Sequence, residues 1–472
     1  MIGREKERKI LLDAVQSDES QFIAVYGRRR VGKTYLIRET FEYNFSFQHT
    51  GLQNGDKSEQ LKAFERSLKS SGMKNVPALS DWFDAFYNLG QFLDSLPDGK
   101  KVVFIDELPW LDTPKSKMVN ALDHFWNAWA TARKDIILVV CGSATSWIIS
   151  KIVKNYGGLH NRLTRQIYLE PFTLHECELF ANANHLGMSR RNILETFMVF
   201  GGIPYYWKFL QKGESYAQSI DRLFFSKNGE LKNEYNALYA SLFKNPQPYI
   251  EIVSVLGHKK AGMTRQEIIM ELKKNEGGKL SSVLEELEQC DFIRSFQSIG
   301  KQKKETVYQL IDNFTLFYFK FIDGQKTNEK NYWSKMMQKN VYAVWSGLAF
   351  ERICFQHIEQ IKKALGISGV ISNVYSWTYK SDGDGENGVQ IDMLIDRDDN
   401  VINLCEIKFS KSEYEITSAY DREIHRKADI FTRKTHTTKG VTIVMITSYG
   451  LTKNQWSNDI SNEVVLDDLF VG

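Results

Sequence analysis

The sequence predicts an α/β protein of several domains, because apolar strands alternate with helices along its first third and again near its end. The runs at 21–26, 102–105 and 136–140 are largely apolar, as in parallel strands buried on both faces. The chain has 472 residues, too many for one domain of roughly 100–200 residues. We predict four domains, at 1–172, 173–240, 241–325 and 336–472.

Charge and cysteine content narrow the class of protein. The net charge of +3 shows that the chain as a whole is not a polycation, so any nucleic-acid surface must come from local clustering. The five cysteines are far apart and form no C-x-x-C pair, which indicates buried free thiols in a reducing compartment. The start of the chain lacks the apolar core of a signal peptide, and no run of about 18 apolar residues is present. We therefore expect a cytoplasmic protein.

The first domain is predicted to contain a parallel sheet between two layers of helices. Its predicted helices cover 5–15, 31–41, 82–96 and 118–133, and a short strand at 166–169 follows the three apolar runs. Helices that connect successive strands produce a parallel sheet covered on both faces. After about residue 173 the pattern is helical until about 292.

A glycine-rich segment follows the first apolar strand and precedes a helix, and it matches G-x-x-x-x-G-K-[ST] in full. Its residues are Gly27, Arg28, Arg29, Arg30, Val31, Gly32, Lys33 and Thr34. The glycines permit a turn that directs backbone N–H groups at phosphates, and the start of the helix adds a favourable dipole. We expect ATP here, with Lys33 reaching its β- and γ-phosphates and the Thr34 hydroxyl binding Mg²⁺.

Two carboxylates, Asp106 and Glu107, end the second apolar strand. Downstream of a complete phosphate loop, such a pair predicts the metal and water chemistry of ATP hydrolysis. Asp106 is expected to hold Mg²⁺, directly or through water. Glu107 is expected to polarise the attacking water as a general base.

Polar residues near two further strands are additional candidates. Ser143 follows the strand at 136–140 and is predicted to sense the γ-phosphate, the alternative being a simple turn. Arg162 and Arg165 precede the strand at 166–169, and either can stabilise transition-state charge in its own or a neighbouring subunit. We select Arg162, the alternative being a surface or salt-bridged arginine.

Several of these segments together resemble the archaeal-type P-loop ATPase family, a STAND family near the AAA+ ATPases, over residues 1–320. The matching segments are Ile2 to Glu5, Tyr26 to Thr34, Phe104 to Glu107, Cys141 to Ser143, and Gly201 to Tyr206. The resemblance implies a P-loop ATPase with a helical lid and an adenine-side role for Pro204. The residues alone predict only a helix-breaking turn at Pro204.

Three short helices and a β-hairpin predict a winged helix-turn-helix in the third domain. The helices are predicted at 249–256, 264–272 and 280–290, and the strands at 291–294 and 306–310. The turn at 301–304 carries three lysines, which suit contact with DNA phosphates. Three glutamates lie at the expected recognition helix and oppose that contact, so an intramolecular packing role is the alternative.

The last domain is predicted to combine helices at 343–365 and 412–434 with strands at 370–380, 389–396, 401–408 and 441–446. Glu406 and Lys408 share one face of their strand, and Asp392 on a neighbouring strand can point the same way. Glu351 on the first helix offers a third acid. Such a group can bind Mg²⁺ and activate a water for attack on a phosphodiester, with Lys408 orienting that water.

This arrangement resembles the PD-(D/E)XK nuclease superfamily over roughly residues 340–450, as Asp392 and Glu406-Ile407-Lys408 with Glu351. The resemblance implies a restriction-endonuclease-like fold and a metal held by Asp392 and Glu406. The same kind of domain is fused to many archaeal-type ATPases. The alternative is a degenerate domain that binds DNA or a partner without cutting.

Two functional hypotheses follow from the sequence. In the first, ATP hydrolysis changes the arrangement of the lid and winged helix and so regulates a C-terminal domain that touches or cuts DNA. In the second, nucleotide state controls assembly with a protein partner, and the nuclease-like domain is inert. Oligomers are compatible with either hypothesis.

Overall fold

The computed structural model describes residues 1–143, 145–153, 162–273, 278–297, 305–325, 331–379, 381 and 387–472. The chain forms two units. The first consists of residues 1–171 with the short pieces 203–205 and 241–244, and the second consists of the remaining residues from 172 to 472. Within the described residues, no helix is long and apolar enough to cross a membrane.

A five-stranded sheet organises the first unit, in the order β2-β3-β4-β1-β5, and every neighbouring pair is parallel. Its strands are β1 (Gln21–Tyr26), β2 (Phe47–Thr50), β3 (Lys101–Asp106), β4 (Ile136–Gly142) and β5 (Arg165–Tyr168). Its helices are α1 (Glu5–Val15), α2 (Lys33–Thr40), α3 (Lys57–Ser70), α4 (Trp82–Asp94), α5 (Leu108–Leu111), α6 (Met118–Ala128) and α7 (Thr145–Ile148). Apolar side chains of α3, α4 and α6 pack against the sheet and form its core. The predicted α/β fold with a parallel sheet is thus confirmed.

The sequence prediction missed β2 and α3 in this unit. The strand β2 lies at the edge of the sheet and alternates buried and exposed positions, with Phe47 and His49 inside. A short edge strand with three polar residues has no continuous apolar run, so it lacks the signal that identified β1, β3 and β4.

Helices predominate after residue 172. Up to residue 325 they are α8 (Leu174–Ala183), α9 (Arg190–Phe200), α10 (Pro204–Trp207), α11 (Tyr216–Ile220), α12 (Glu234–Leu242), α13 (Gln247–Gly257), α14 (Arg265–Leu272), α15 (Gly278–Gln289) and α16 (Asn313–Phe317). A small antiparallel sheet in the order β6-β8-β7 accompanies α13 to α15, with β6 (Met263–Thr264), β7 (Ile293–Phe296) and β8 (Val307–Leu310). The three helices and the hairpin have the predicted order, and their assignment as a winged helix stays a prediction. The lysine turn at 301–304 lies outside the described residues.

A second five-stranded sheet follows, in the order β13-β12-β11-β10-β9. Its strands are β9 (Ser372–Tyr379), β10 (Val389–Arg397), β11 (Val401–Lys408), β12 (Gly440–Thr447) and β13 (Asn462–Val465). The helices of this region are α17 (Tyr332–Met336), α18 (Asn340–Gln356), α19 (Ile358–Ala364) and α20 (Ser418–Thr435). The pairs β9–β10 and β10–β11 are antiparallel, whereas β11–β12 and β12–β13 are parallel. The sequence prediction missed β13.

The single helix predicted at 343–365 is wrong, because the chain breaks at His357 into α18 and α19. The backbone of His357 leaves the helical region at φ −116° and ψ 32°. Its ring is buried, and its Nε2 accepts a hydrogen bond of 2.9 Å from the amide of Leu174. This contact is distant in sequence, so helical periodicity could not reveal the break. The helix predicted at 412–434 begins instead at Ser418, after Thr417 caps it.

Candidate active site

The phosphate loop connects β1 to α2 and depends on one close backbone contact. Gly27 has φ +138°, and a Cβ atom at this position would lie 2.4 Å from the carbonyl oxygen of Leu169. Arg30 and Gly32 also have positive φ angles, of 72° and 96°. Only glycine fits at position 27 without displacing backbone, so the loop holds its bend before α2.

The Lys33 side chain is buried and lies across this loop. Its Nζ donates hydrogen bonds of 2.9 Å to the carbonyl oxygens of Gly27 and Arg28. Burial lowers the pKa of Lys33, while the carboxylates of Glu107 and Asp106 oppose that shift. The Lys33 amine therefore lies inside the loop that is predicted to bind phosphate.

Thr34 and Asp106 form the part of the site that suits a divalent cation. The Thr34 hydroxyl donates to the two carboxylate oxygens of Asp106 at 3.0 and 3.3 Å. Asp106 also accepts from the Glu107 amide at 3.0 Å and from the Cys141 thiol at 2.6 Å. Magnesium prefers hydroxyl and carboxylate oxygens, so this donor set fits the predicted Mg²⁺. The thiol is a neutral donor, because burial raises the pKa of Cys141 well above its usual range.

Glu107 lies beside Asp106, at a left-handed backbone position with φ 48°. Its carboxylate accepts from the Ser143 hydroxyl at 3.0 Å and from the Ser143 amide at 3.1 Å. The strands β3 and β4 are parallel neighbours, so their carboxyl ends bring these two residues together. The site thus joins Ser143 to Glu107, a contact that the sequence prediction did not include.

The Gly201 to Tyr206 motif contributes to the same unit through Ile203–Tyr205. The guanidinium carbon of Arg30 lies 4.1 Å from the centre of the Tyr205 ring. This cation–π contact puts the neighbour of Pro204 against the phosphate loop. Arg4, from the first matching segment, donates to the carbonyl oxygen of Glu170 at 2.7 Å. Tyr205 was missed as a candidate, although its place in the quoted motif could have indicated it.

The remaining loop residues and the selected arginine differ in burial. Arg28 and Val31 are buried, and Arg29 is half-buried. Arg162 is exposed, and within the described part of the chain it forms no hydrogen bond or ion pair. Arg165 lies in β5 with its Nε buried. The catalytic role of Arg162 stays a prediction.

The second unit contains the other predicted acids, of which Glu406 is completely buried. Its carboxylate is 2.7 Å from the Lys427 ammonium, and the Tyr420 hydroxyl donates to it at 2.9 Å. Lys408 lies 3.6 Å from the same carboxylate. Burial raises the pKa of Tyr420, and the neighbouring Glu406 adds to the shift. Glu406 and Lys408 therefore meet as predicted, but two more side chains from α20 complete the cluster.

Asp392 and Glu351 both line a cavity in the second unit. Asp392 falls at a register shift of β10 between Ile391 and Leu394, and its carboxylate accepts from the Ile407 amide at 3.1 Å. Bulges of this kind re-aim side chains, often beside functional sites. Both oxygens of Glu351 lie within 3.1 Å of the Lys260 ammonium. Burial raises the pKa of Glu351, and the charge of Asp392 raises it further.

The three acids do not form a compact ligand set. The ligand atoms of Glu351, Asp392 and Glu406 are not all within 4.8 Å of one another. Lysine ammonium groups lie against the carboxylates of Glu406 and Glu351. Lys427 is 21 positions from Glu406 and Lys260 is 91 positions from Glu351, so no sequence spacing could reveal either pair.

The parallel sheet, the phosphate loop and the two carboxylates at its edge define a P-loop ATPase, an enzyme that hydrolyses ATP. Residues 1–210 match the family model of an ATPase domain that is predominantly from Archaea. The chain is 22% identical to the uncharacterized protein MJECL04 of Methanocaldococcus jannaschii, over 91% of this chain and 92% of that protein.

A solved ATPase structure shares the fold. The Walker-type ATPase PABY2304 of Pyrococcus abyssi superposes with a TM-score of 0.50 at 16% identity, over 68% of this chain and 96% of that one. The ORC2 protein of Aeropyrum pernix is a more distant match, with a TM-score of 0.41 at 13% identity, over 71% of this chain and 94% of that one. The match to the Pyrococcus abyssi ATPase covers a larger share of this chain than residues 1–210 do. It concerns the fold alone.

Proposed function

We propose that this chain hydrolyses Mg·ATP and acts on DNA. The observation that supports the nucleotide part best is the junction of α2 with β3, where the Thr34 hydroxyl and the Asp106 carboxylate meet beside Glu107. Metal-assisted hydrolysis requires a hydroxyl and two carboxylates beside a phosphate loop, and these three groups are present here.

Each of these side chains would have a defined part in hydrolysis. Lys33 would exchange the carbonyl oxygens of Gly27 and Arg28 for the β- and γ-phosphates, and the loop amides would bind the remaining phosphate oxygens. Bound Mg²⁺, held by Thr34 and Asp106, would neutralise phosphate charge. Glu107 would polarise the attacking water after it releases at least one of its hydrogen bonds to Ser143.

Ser143, Pro204 and Arg162 would complete the site. Because Ser143 holds Glu107, its hydroxyl can exchange the carboxylate for a γ-phosphate oxygen. The contact between Arg30 and Tyr205 supports an adenine-side position for Pro204. Arg162 would supply positive charge to the transition state in its own subunit or in a neighbouring one of an oligomer.

The Lys33→Ala variant tests the nucleotide part. Loss of the buried ammonium should weaken binding of a fluorescent ATP analogue at least tenfold and abolish phosphate release. Lys62→Ala, an exposed lysine on α3, is the matched control and should keep wild-type turnover. Undiminished ATP turnover by Lys33→Ala would refute the assignment of the site.

Beyond residue 172 we propose a helical lid at 173–240, a winged helix at 241–325 and a nuclease-like domain at 336–472. The meeting of Glu406 with Lys408, and of Asp392 with the Ile407 amide, supports a phosphodiester site in the last of these. Asp392 and Glu406 would hold Mg²⁺ there, Glu351 would be a third acid, and Lys408 would orient a water. The lysines at 301–304 would contact DNA phosphates.

A second candidate function has an observation in its favour. Lys427 and Tyr420 hold both oxygens of the buried Glu406, and Lys260 holds Glu351. Ammonium groups at these positions oppose the entry of a metal ion. They favour a nucleotide-controlled switch whose nuclease-like domain is inactive and binds a protein partner.

One assay separates the two functions. The protein is incubated with plasmid or linear DNA and Mg²⁺ or Mn²⁺, with and without ATP. Cleavage that is lost in Asp392→Ala supports the DNA-acting enzyme. Absence of both cleavage and salt-sensitive DNA binding supports the switch.

We also place the protein in the cytoplasm, because all five cysteines are free and buried.

A further inference from the structure

A cavity of about 270 Å³ lies within the second unit, where the end of α13 faces α18 and the strands β9 and β10. Its wall includes Lys259, Lys260, Lys320, Trp345, Glu351 and Arg352. Lys259 and Lys260 follow α13, Lys320 comes from a second segment, and all three are exposed, whereas Trp345 is only 4% exposed. The cavity is therefore open to solvent at a basic rim and closed by buried side chains of α18.

The charges around the cavity favour an anion. Four basic side chains face two acidic ones, because Asp392 also lines the wall beside Glu351. Lys260 already compensates Glu351 at 3.0 Å, and the Ile407 amide donates to Asp392 at 3.1 Å. The remaining positive charge is concentrated in a concave, partly desolvated space, where it acts more strongly than on an open surface.

Two side chains of α18 carry buried donor atoms that have no acceptor among the described residues. The indole Nε1 of Trp345 and the Nε and Nη2 of Arg352 are buried, and in the described part of the chain none of these atoms has a hydrogen-bond partner. The two residues are seven positions apart, two helical turns, so they share one face of α18. Burial lowers the pKa of Arg352 to about 10. Buried donors without partners are rare and costly, and several at one cavity indicate a missing acceptor.

We propose that this cavity binds a phosphate group of a nucleotide, with Arg352 and Trp345 as its buried donors and Lys259 and Lys320 at its rim. A guanidinium group matches phosphate in charge and geometry, and it can bind two oxygens at once. The site deepens the proposed function, since it lies beside the predicted phosphodiester site of Asp392 and Glu351.

The size of the cavity limits the ligand. Small-molecule pockets usually have about 300–1,000 Å³, so this one admits a single phosphate-bearing unit and excludes a duplex. That unit can be the 5′-phosphorylated end of a nucleic-acid strand or a free mononucleotide. Both present the same phosphate chemistry, and the binding experiment distinguishes them.

The experiment compares two short single-stranded DNA oligonucleotides, identical except for a 5′-phosphate, by fluorescence anisotropy on the full chain. We expect the phosphorylated strand to bind at least tenfold more tightly. Arg352→Met should remove this preference, and Lys320→Ala should reduce it several-fold. Lys339→Ala, which removes one exposed charge at the start of α18 outside the cavity wall, should leave it intact.

Competition with adenosine monophosphate identifies the source of the phosphate. Displacement of the labelled strand in wild type, and not in Arg352→Met, indicates that free nucleotides also enter the site. A preference for the phosphorylated strand that survives Lys33→Ala belongs to this cavity rather than to the phosphate loop. The binding result can therefore be interpreted even if the ATPase assignment fails. Equal affinity for both strands, with no Arg352-dependent binding of the mononucleotide, would overturn the proposal.

Thermal stability separates a binding role of Arg352 from a structural one. A guanidinium kept buried without acceptors for the sake of a ligand should be replaceable by methionine at no loss of stability. Arg352→Met is therefore expected to keep or raise the Tm of the ligand-free protein. A fall in Tm of several degrees would show that Arg352 holds the fold together and would count against the site.

Discussion

The two units each place carboxylates at the end of buried strands, but their carboxylates have different partners. In the first unit, Asp106 and Glu107 accept hydrogen bonds from neutral hydroxyl, thiol and amide donors. In the second unit, Glu406 lies against the ammonium groups of Lys427 and Lys408, and Glu351 lies against that of Lys260.

This difference has a direct chemical consequence. The neutral donors add no positive charge at Asp106 and Glu107, so a divalent cation meets little opposition from them. Ammonium groups already compensate the charges of Glu406 and Glu351, and a metal ion at either acid would have to displace them. Motifs that are equally complete in sequence can therefore differ in their readiness for metal-dependent chemistry.

The largest expected effect concerns the first site. Glu107→Gln keeps the size of the side chain and its contact with Ser143, but it removes the base that polarises the water. We expect ATP turnover to fall about 10²- to 10⁴-fold while ATP affinity changes little. Phosphate-release kinetics and titration with a labelled ATP analogue measure the two quantities. A parallel loss of affinity would instead assign Glu107 to nucleotide binding.

The next effect concerns the buried ion pair of the second site. Lys427→Met leaves the Glu406 carboxylate, which is 0% exposed, without its closest positive charge, and should cost about 3–5 kcal/mol of unfolding free energy. The double variant with Glu406→Gln should recover most of that loss. Lys453→Ala, which breaks an exposed pair with Glu463, is the control at about 0–1 kcal/mol. Urea unfolding measures all three, and similar values for Lys427 and Lys453 would contradict the comparison.

A buried neutral histidine in each unit predicts sensitivity to acid. Burial lowers the pKa of His49 and of His357 to about 4, below the ordinary 6.5. Between pH 6.5 and 4 the unfolded chain binds more protons at these positions than the folded chain does. The stabilising contribution of each neutral histidine is therefore complete above pH 6.5 and is lost as the pH falls toward 4. Each histidine should account for roughly 3 kcal/mol of this loss.

Variants of the two histidines check this expectation. His357 donates through Nδ1 to Ile353 and accepts at Nε2 from Leu174, so its neutral form is fixed by both contacts. His357→Gln and His49→Gln should each flatten the decline of the urea midpoint between pH 7 and pH 4.5. If the units unfold in separate transitions, each variant should affect only the transition of the unit that contains the substituted histidine. If the urea midpoint of both variants declines with pH as steeply as that of wild type, the histidines are not the cause of the acid sensitivity.

The smallest effect on stability is expected from Lys260→Ala. Its ion pair with Glu351 is partly exposed and should contribute less than about 1 kcal/mol. Removal of the ammonium should nevertheless strengthen Mn²⁺ binding at the second site several-fold, as measured by electron paramagnetic resonance. Lys259→Ala is the matched control, because Glu351 pairs with Lys260. Equal Mn²⁺ affinity in wild type and Lys260→Ala would show that the lysine does not oppose the metal.

Local sequence patterns were sufficient to predict much of the fold. The apolar runs at 21–26, 102–105 and 136–140 became β1, β3 and β4, and the glycine-rich motif became the loop before α2. The strands at 389–396 and 401–408 were also placed within a residue. By contrast, β2 and β13 were missed because short edge strands bury too few consecutive apolar side chains to leave a pattern.

The sequence by itself determined the parallel sheet, the phosphate loop and the positions of the candidate acids, because strand burial and loop geometry depend on neighbouring residues. Only the tertiary structure decided which partners those acids have. Ser143 on Glu107, Lys427 on Glu406 and Lys260 on Glu351 are joined by strand order and helix packing. Such contacts connect residues 21 to 91 positions apart, at distances that no periodicity in the chain encodes.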